Sequence, residues 1–197
     1  VRRIGVDALE SSTIDWGRLD FKNLNNLYTK PSKQRRTHQL EAIKAVTEGF
    51  GSNSRGKLIM ACGTGKTYTA QCIAEDLVGV GGTVLVLVPS ISLLSQTLKE
   101  WTSDAQIPIS VFAVCSDQKA GKKRDVEDIS PYDLILPATT DTELLVKQFK
   151  KNHSKKVMTV IFSTYQSITV ISDAQKAGIP EFDLLIADEA HRTTGVT

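Results

Sequence analysis

Two short stretches of the sequence carry residues that could do phosphate chemistry. The first is a glycine-rich loop with a lysine and a hydroxyl, Gly63-Thr64-Gly65-Lys66-Thr67. Glycines let successive backbone N–H groups approach phosphate oxygens. Lys66 supplies positive charge for the β- and γ-phosphates, and the Thr67 hydroxyl can ligate Mg²⁺. We therefore predict that these five residues bind a nucleotide, although the strict pattern G-x-x-x-x-G-K-[ST] needs a glycine where the chain has Met60.

The second stretch is an acidic pair, Asp188 and Glu189, directly after the apolar run 184–187. A carboxylate at the C-terminal end of a buried strand can hold a metal ion, and Asp188 is predicted to hold Mg²⁺. Glu189 is the predicted catalytic base that orients a water molecule. The alternative is that both residues simply end a strand in solvent. The phosphate loop upstream argues against that alternative, because phosphoryl transfer needs both parts.

The segments around these stretches predict an α/β fold. A strand over 57–61 leads into the loop, and apolar residues at helical spacing from Ala70 to Val78 follow it. Thr37 and Ser90 are predicted to cap two further helices. The remaining predicted helices cover about 141–151 and 165–176, and the remaining predicted strands are 84–88, 109–114, 133–136, 157–162 and 182–187. This alternation predicts a mainly parallel sheet with helices on both faces.

Composition limits the class of protein. With 197 residues, 41% of them hydrophobic, the chain can form one domain with a full core. A net charge of +2 does not by itself indicate a nucleic-acid partner. No apolar run approaches the roughly 18 residues of a membrane span. The three cysteines, Cys62, Cys72 and Cys115, are odd in number and form no Cys-x-x-Cys pair. This favours reduced thiols in a cytoplasmic protein over a disulfide framework or a zinc site.

The N-terminal part differs from the rest. Residues 1–35 are polar and asparagine-rich, and we predict a connecting segment ahead of one domain over 36–197. The chain begins with Val1, and we expect it to be a piece of a longer polypeptide. Basic clusters at 119–124 and 147–156 could contact DNA, but such runs are more often solvated surface.

The string Asp188-Glu189-Ala190-His191, together with the phosphate loop, resembles the superfamily 2 helicases and translocases. Met60 in place of the first glycine is a variant of that superfamily. Arg36-Thr37-His38-Gln39 resembles the element that these motors place ahead of the loop. The resemblance implies that Gln39 reads adenine beside Arg36, by the two-point geometry that suits glutamine to that base.

Two further strings resemble the motor subunits of restriction enzymes. Val88-Pro89-Ser90, with Gln96 one helix on, is similar to motif Ia, and Ser163-Thr164-Tyr165-Gln166 is similar to a later element. The resemblance implies that Ser90 and Thr164 meet phosphates of one DNA strand, with Pro89, Gln96 and Ser163 in the same contact region. It also implies that His191 couples the nucleotide site to the rest of the motor.

The family most resembled is that of type III and type ISP restriction-modification enzymes, which implies a RecA-like ATP-binding lobe. Its expected partners are DNA, a second RecA-like lobe, and nuclease and methyltransferase domains of the same polypeptide. The function expected is that of a DNA translocase or helicase using Mg-ATP, with little hydrolysis by this lobe alone. Two alternatives are a phosphate-loop kinase or NTPase acting on another substrate, and a non-catalytic nucleotide-binding module.

Overall fold

A computed structural model describes residues 14–19, 32–115 and 138–190. A short 3-10 turn covers Trp16–Arg18 and another covers Tyr165–Ser167. The α-helices are α1 (Thr37–Phe50), α2 (Lys66–Leu77), α3 (Ile91–Asp104), α4 (Thr142–Asn152) and α5 (Ile168–Lys176). The strands are β1 (Thr83–Val88), β2 (Ile109–Val114), β3 (Met158–Thr164) and β4 (Leu184–Ala187).

The four strands form one sheet in the order β2-β3-β1-β4, and every pair is parallel. In β1, Val86 lies opposite Phe162 of β3 on one side and opposite Ile186 of β4 on the other. Helices connect the successive strands, as parallel pairing requires. The predicted parallel α/β fold is therefore confirmed.

Both faces of β1 are covered, which explains why this strand is apolar at nearly every position. Its residues alternate between two hydrophobic clusters because side chains of a strand point to opposite faces in turn. On one face α2 and α3 pack on the sheet, with Trp101 edge-on to Phe162 at 5.4 Å between ring centroids. On the other face α4 and α5 pack, with Phe149 in the centre.

The strand ends separate the predicted functional residues from the basic cluster. Because the sheet is parallel, Pro89, Tyr165 and Asp188 follow β1, β3 and β4 at one and the same edge. The lysines at 150–156 precede β3 and so lie at the opposite edge. The cluster at 119–124 lies outside the described residues. Ligands of open parallel sheets bind at the carboxyl edge, which is where the predicted site residues gather.

The predicted strand over 57–61 is wrong. These residues have no strand partner in the part of the chain that the structure describes, and a strand exists only through pairing with a neighbour. Lys57, Leu58 and Met60 line a cavity of about 440 Å³ together with residues 184–188 of β4 and its turn. Leu185 of β4 is 53% exposed.

The first predicted helix cap is also wrong by one residue. Thr37 is the first residue of α1, and Arg36 is its N-cap. Ser90 does cap α3, since its side chain accepts a hydrogen bond from the Leu93 N–H. The strand predicted at 133–136 lies outside the described residues. No helix within the described ranges has the length and apolar character needed to cross a membrane.

One carboxylate is buried between α2 and α3. Glu75 Oε1 accepts a hydrogen bond from the Gln106 N–H at 2.9 Å and another from Gln71 Nε2 at 3.4 Å. Burial raises the pKa of Glu75 above its ordinary value of 4.5. The folded protein therefore binds this proton more tightly than the unfolded chain does.

The substitution Glu75→Gln is expected to stabilise the protein increasingly as pH rises above about 4.5. Protonated Glu75 contributes its full stability below the pKa that Glu75 has in the unfolded chain. That contribution is lost as pH rises through the higher pKa that Glu75 has in the folded protein. The substituted amide would keep an oxygen for the Gln106 N–H without a buried charge. Urea unfolding of both proteins across pH 4–8 measures the difference in their free energy of unfolding. A difference that narrows with rising pH would contradict the raised pKa of Glu75.

Candidate nucleotide site

The phosphate loop has the backbone shape that anion binding requires. Gly63 and Gly65 have φ angles of 77° and 86°, in the left-handed region that only glycine adopts without strain. Thr64 is tied back to Ala61, whose carbonyl accepts from the Thr64 hydroxyl at 2.7 Å. Helix α2 begins directly at Lys66, so its N-terminal N–H groups lie beside the loop. The loop therefore presents N–H groups, a helix N-terminus and one lysine together.

The acidic pair sits against this loop. The Asp188 N–H donates to the Leu87 carbonyl at 2.8 Å, which continues the β1–β4 ladder one residue beyond β4. Lys66 Nζ lies 3.5 Å from Glu189 Oε1, and both side chains are about one-third exposed. The ion pair shows that the predicted loop lysine and the predicted base share one site.

Glu189 has an unusual backbone conformation. Its φ is 53°, which makes it the one non-glycine residue with positive φ among the described residues. Its N–H donates to Asp188 Oδ1 at 3.0 Å. Such conformations cost on the order of 1–3 kcal/mol and are concentrated at functional sites. The turn directs the Glu189 carboxylate towards Lys66 rather than along the strand.

The donor set fits Mg²⁺ held together with phosphates. Thr67 and Asp188 line the same cavity of about 440 Å³ as Lys66. Within the described residues, no group of three or more His, Cys, Asp or Glu side chains could form a complete metal site. Mg²⁺ is typically bound by one or two protein oxygens, with phosphates and water completing its shell. A hydroxyl and a carboxylate beside the phosphate loop suit that mode.

Gln39 lies against the loop but is 3% exposed. Its Oε1 accepts from the Arg36 N–H at 2.9 Å, and its Nε2 donates to the Thr64 carbonyl at 3.2 Å. His38 Nε2 also lies 3.0 Å from the Thr64 carbonyl. Both ends of the Gln39 amide are thus engaged within the protein. Its reading of adenine stays a prediction, and it would require the amide to exchange one of these partners.

An anchor for this region was missed from the sequence. Arg35 makes a two-point contact with Asp76, at 2.6 and 2.8 Å, and this raises the pKa of the guanidinium. The Tyr68 hydroxyl donates to the Lys33 carbonyl at 2.5 Å. Tyr68 and Asp76 both belong to α2, and both contact the segment that precedes α1. The stretch leading to Arg36 and Gln39 is therefore fastened to the helix that starts at the phosphate loop.

Of the predicted DNA-contact residues around α3, Pro89 and Ser90 lie at the carboxyl edge, and Gln96 lies in the second turn of the helix. Pro89 and Ser90 are partly exposed, and Gln96 is exposed on α3 with its amide donating to Glu100 at 2.9 Å. The Ser90 hydroxyl already serves as the cap of α3. These three residues remain accessible to a ligand that lies across this edge.

Ser163 and Thr164 are placed differently. They are 0% and 3% exposed. The Ser163 hydroxyl donates to the Thr164 carbonyl at 3.0 Å, and the Thr164 hydroxyl donates to Ser167 Oγ at 3.1 Å. Their contact with DNA stays a prediction, and the exposed side chain next to them is Gln166. His191 lies outside the described residues.

Tyr165 is a further residue that the sequence did not reveal. Its hydroxyl donates to the backbone carbonyl of Asp188 at 2.7 Å, which links the end of β3 to the acidic pair. Burial raises the pKa of Tyr165, and the negative charges of Asp188 and Glu189 raise it further. The hydroxyl therefore stays protonated and able to donate. Only the position after Thr164 could have drawn attention to it.

The sequence matches a family model over residues 32–196, and that family is described as type III restriction enzyme, res subunit. The chain belongs to this family.

Solved structures agree with the family. The ATP-dependent type ISP restriction-modification enzyme LlaBIII, solved bound to DNA, superposes with a TM-score of 0.82 at 43% identity, over 98% of this chain and 12% of that chain. A nuclease-deletion mutant of the type ISP enzyme LlaGI, in complex with a DNA substrate mimic, gives 0.67 at 44% identity, over 81% of this chain and 15% of that chain. The predicted RecA-like motor lobe of superfamily 2 is confirmed.

A curated relative gives the same picture. The probable helicase A859L of African swine fever virus is 32% identical over 167 residues, which is 85% of this chain and 17% of the relative. This chain thus spans less than a fifth of each of these restriction-enzyme and helicase relatives.

The close approach of Gln39 to the loop gives a test. A Cβ added at Gly65 would lie 2.6 Å from Gln39 Nε2, whereas one added at Gly63 would meet nothing within 4 Å. Both substitutions place alanine in the left-handed region, at a cost of roughly 1–2 kcal/mol each. Gly65→Ala also displaces the Gln39 amide from Thr64, which adds about 1 kcal/mol. Thermal unfolding should therefore show a larger loss for Gly65→Ala than for Gly63→Ala.

The background Gln39→Ala supplies the control. It removes the side chain that the new methyl group would meet, so the cost of Gly65→Ala should fall to that of Gly63→Ala. Equal costs of the two glycine substitutions in the unsubstituted chain would refute the contact between Gln39 and the loop.

Proposed function

We propose that this chain is the ATP-binding lobe of an ATP-dependent DNA translocase or helicase of a restriction-modification enzyme. The observation that carries the proposal is the convergence of the phosphate loop and the acidic pair, joined by Lys66 and Glu189 at 3.5 Å. Family membership supports it, because the match includes both motifs. The domain consists of residues 36–197 in this proposal, with residues 1–35 as a connecting segment.

The residues of the site divide the chemistry among them. Backbone N–H groups of residues 63–67 and the Lys66 ammonium bind the phosphates of ATP. Thr67 and Asp188 hold Mg²⁺, which when bound neutralises charge on the β- and γ-phosphates. Glu189 orients a water molecule in line with the γ-phosphorus and accepts its proton. Gln39 and Arg36 contact the adenine end in this proposal.

The ion pair between Lys66 and Glu189 gives the site a way to respond to its substrate. The Lys66 ammonium can form a close ion pair with only one anion at a time. A triphosphate carries more negative charge than the Glu189 carboxylate and therefore attracts the lysine more strongly. Arrival of ATP would draw Lys66 towards the phosphates and so weaken its ion pair with Glu189.

DNA is the proposed polymer substrate. The type ISP enzymes that superpose on this chain were solved with DNA or a DNA substrate mimic. Pro89 and Ser90 follow β1 at the same edge of the sheet as the proposed ATP site, Gln96 lies in the second turn of α3, and Ser163 and Thr164 end the adjacent strand. Contacts from these positions would reach the phosphate backbone, so binding would depend on salt and be largely independent of sequence.

The whole protein would contain more than this lobe. The chain spans 12% and 15% of the two type ISP chains. We propose that a second RecA-like lobe supplies an arginine finger to the ATP site, and that nuclease and methyltransferase domains belong to the same polypeptide. His191 would couple the nucleotide site to those parts.

Glu189→Gln is expected to reduce DNA-stimulated ATP hydrolysis at least 100-fold in a polypeptide that carries both lobes, because loss of a general base typically costs about 10²–10⁴-fold. ATP binding should be kept, since Lys66 and the loop are unchanged. Steady-state turnover with and without duplex DNA, together with a nucleotide-binding titration, measures both effects.

Glu181→Gln is the matched control, because Glu181 is exposed and precedes β4 at the opposite edge of the sheet. It should leave turnover unchanged. DNA-stimulated hydrolysis at the unsubstituted rate in Glu189→Gln would refute the role of Glu189. Turnover that duplex DNA does not affect in the unsubstituted protein would favour a phosphate-loop kinase or small-molecule NTPase instead.

The isolated lobe is expected to fold and to turn over little ATP, since an arginine finger contributes roughly 10³–10⁵ in rate. Thermal unfolding and an ATPase assay on these 197 residues test this. Lys66→Ala, which removes the loop cation, gives the background rate. Vigorous DNA-stimulated hydrolysis by the isolated lobe, abolished by Lys66→Ala, would show that no second lobe is needed.

A further inference from the structure

Tyr165 joins two parts of the molecule that the proposed function treats separately. It begins the 3-10 turn after β3, directly behind Thr164 at the proposed DNA edge. Its hydroxyl reaches 23 residues along the chain to the Asp188 carbonyl, at 2.7 Å. This carbonyl belongs to the peptide that links the proposed metal ligand to the proposed base.

The bond acts where the backbone leaves the sheet. β4 ends at Ala187, and the Asp188 N–H makes the last ladder bond, to Leu87. Beyond that bond Glu189 has φ 53°. The orientation of the Asp188–Glu189 peptide determines where the Glu189 side chain leaves the backbone. A hydrogen bond to the carbonyl of this peptide therefore restrains the direction of the carboxylate.

The other end of the link is also fixed. Tyr165 packs against the hydrophobic cluster formed by α4, α5 and the sheet. The turn that starts with it is closed by the hydrogen bond from the Thr164 hydroxyl to Ser167 Oγ at 3.1 Å. A displacement of this turn would consequently move the phenol and the peptide it holds, whereas the Asp188 N–H would remain on β1.

We propose that Tyr165 is a positioning residue for ATP hydrolysis, which sets the Glu189 carboxylate through its bond to the Asp188 carbonyl and links it to the DNA edge at the end of β3. The inference rests on the proposed function, since it requires Glu189 to orient water and DNA to lie at this edge. In this proposal Tyr165 acts on Glu189 through the Asp188–Glu189 peptide and not by contact with the nucleotide. Its effect is on the geometry of the base in the transition state, so it should alter kcat rather than nucleotide affinity.

The test is Tyr165→Phe in a polypeptide that carries both lobes. Removal of the hydroxyl should lower kcat for DNA-stimulated ATP hydrolysis about 10-fold or more, since a misplacement of about 1 Å can cost 10²-fold. The KM for ATP and the affinity for duplex DNA should stay within about twofold of the unsubstituted protein, because the phosphate loop is unchanged. Replacement of Tyr165 by 4-aminophenylalanine restores an N–H donor at the same place and should recover most of the rate.

Thr83→Val is the matched control. The Thr83 hydroxyl also donates to a backbone carbonyl, that of Glu181 at 3.2 Å, and it is buried at the start of β1, at the edge of the sheet opposite the proposed site. Its loss should lower the melting temperature by a similar amount and leave kcat unchanged. An equal fall of kcat in both variants would mean a loss of stability and would overturn the proposal, as would an unchanged kcat in Tyr165→Phe or no recovery with 4-aminophenylalanine.

The same measurements separate this inference from the proposed function. If the unsubstituted protein shows no DNA-stimulated turnover, the proposed function fails and the role of Tyr165 fails with it. If turnover is stimulated and is lost in Glu189→Gln but not in Tyr165→Phe, only the role of Tyr165 is overturned.

Discussion

The parallel ladder between β1 and β4 determines where every other part of the site lies. The last hydrogen bond of that ladder runs from the Asp188 N–H to the Leu87 carbonyl, and it holds the acidic pair beside the start of α2. A shift of one residue would turn Asp188 to the other face of the sheet and remove it from the loop. The packing of helices on both faces, with Trp101 and Phe149 at the two centres, keeps this register in place.

Arg35 fastens the site through the Asp76 side chain, but three other side chains do so through hydrogen bonds to the backbone. The Gln39 amide donates a hydrogen bond to the Thr64 carbonyl. The Tyr68 hydroxyl donates to the Lys33 carbonyl, and the Tyr165 hydroxyl donates to the Asp188 carbonyl. Each of these carbonyls lies in an irregular segment, where no ladder or helix supplies a partner. Side-chain donors therefore take the place of secondary structure where the chain must turn to form the site.

The sequence predicted those features that depend on local pattern. Residues 84–88 are apolar throughout, which is typical of a strand covered on both faces, and the spacing of the motifs indicated the family. A local pattern does not encode strand pairing, so the apolar run 57–61 predicts a strand although no described strand lies beside it. The sequence did not predict contacts between distant residues either. Arg35 contacts Asp76, 41 positions away, and Ser163 and Thr164 are buried because β3 lies between β2 and β1. Such contacts depend on how the elements pack, which no short string of residues encodes.

The exposed edge of β4 affects how readily the isolated lobe associates with itself in solution. Among the described residues this strand is paired only with β1, and its other edge carries N–H and C=O groups without a strand partner along an apolar sequence with Leu185 half exposed. Exposed, uncharged edge strands are templates on which further chains can add by backbone pairing. In isolation this lobe should therefore tend to self-associate through β4, the strand that leads into the acidic pair. Solution conditions that suppress pairing between β4 edges would then also keep the proposed ATP site accessible.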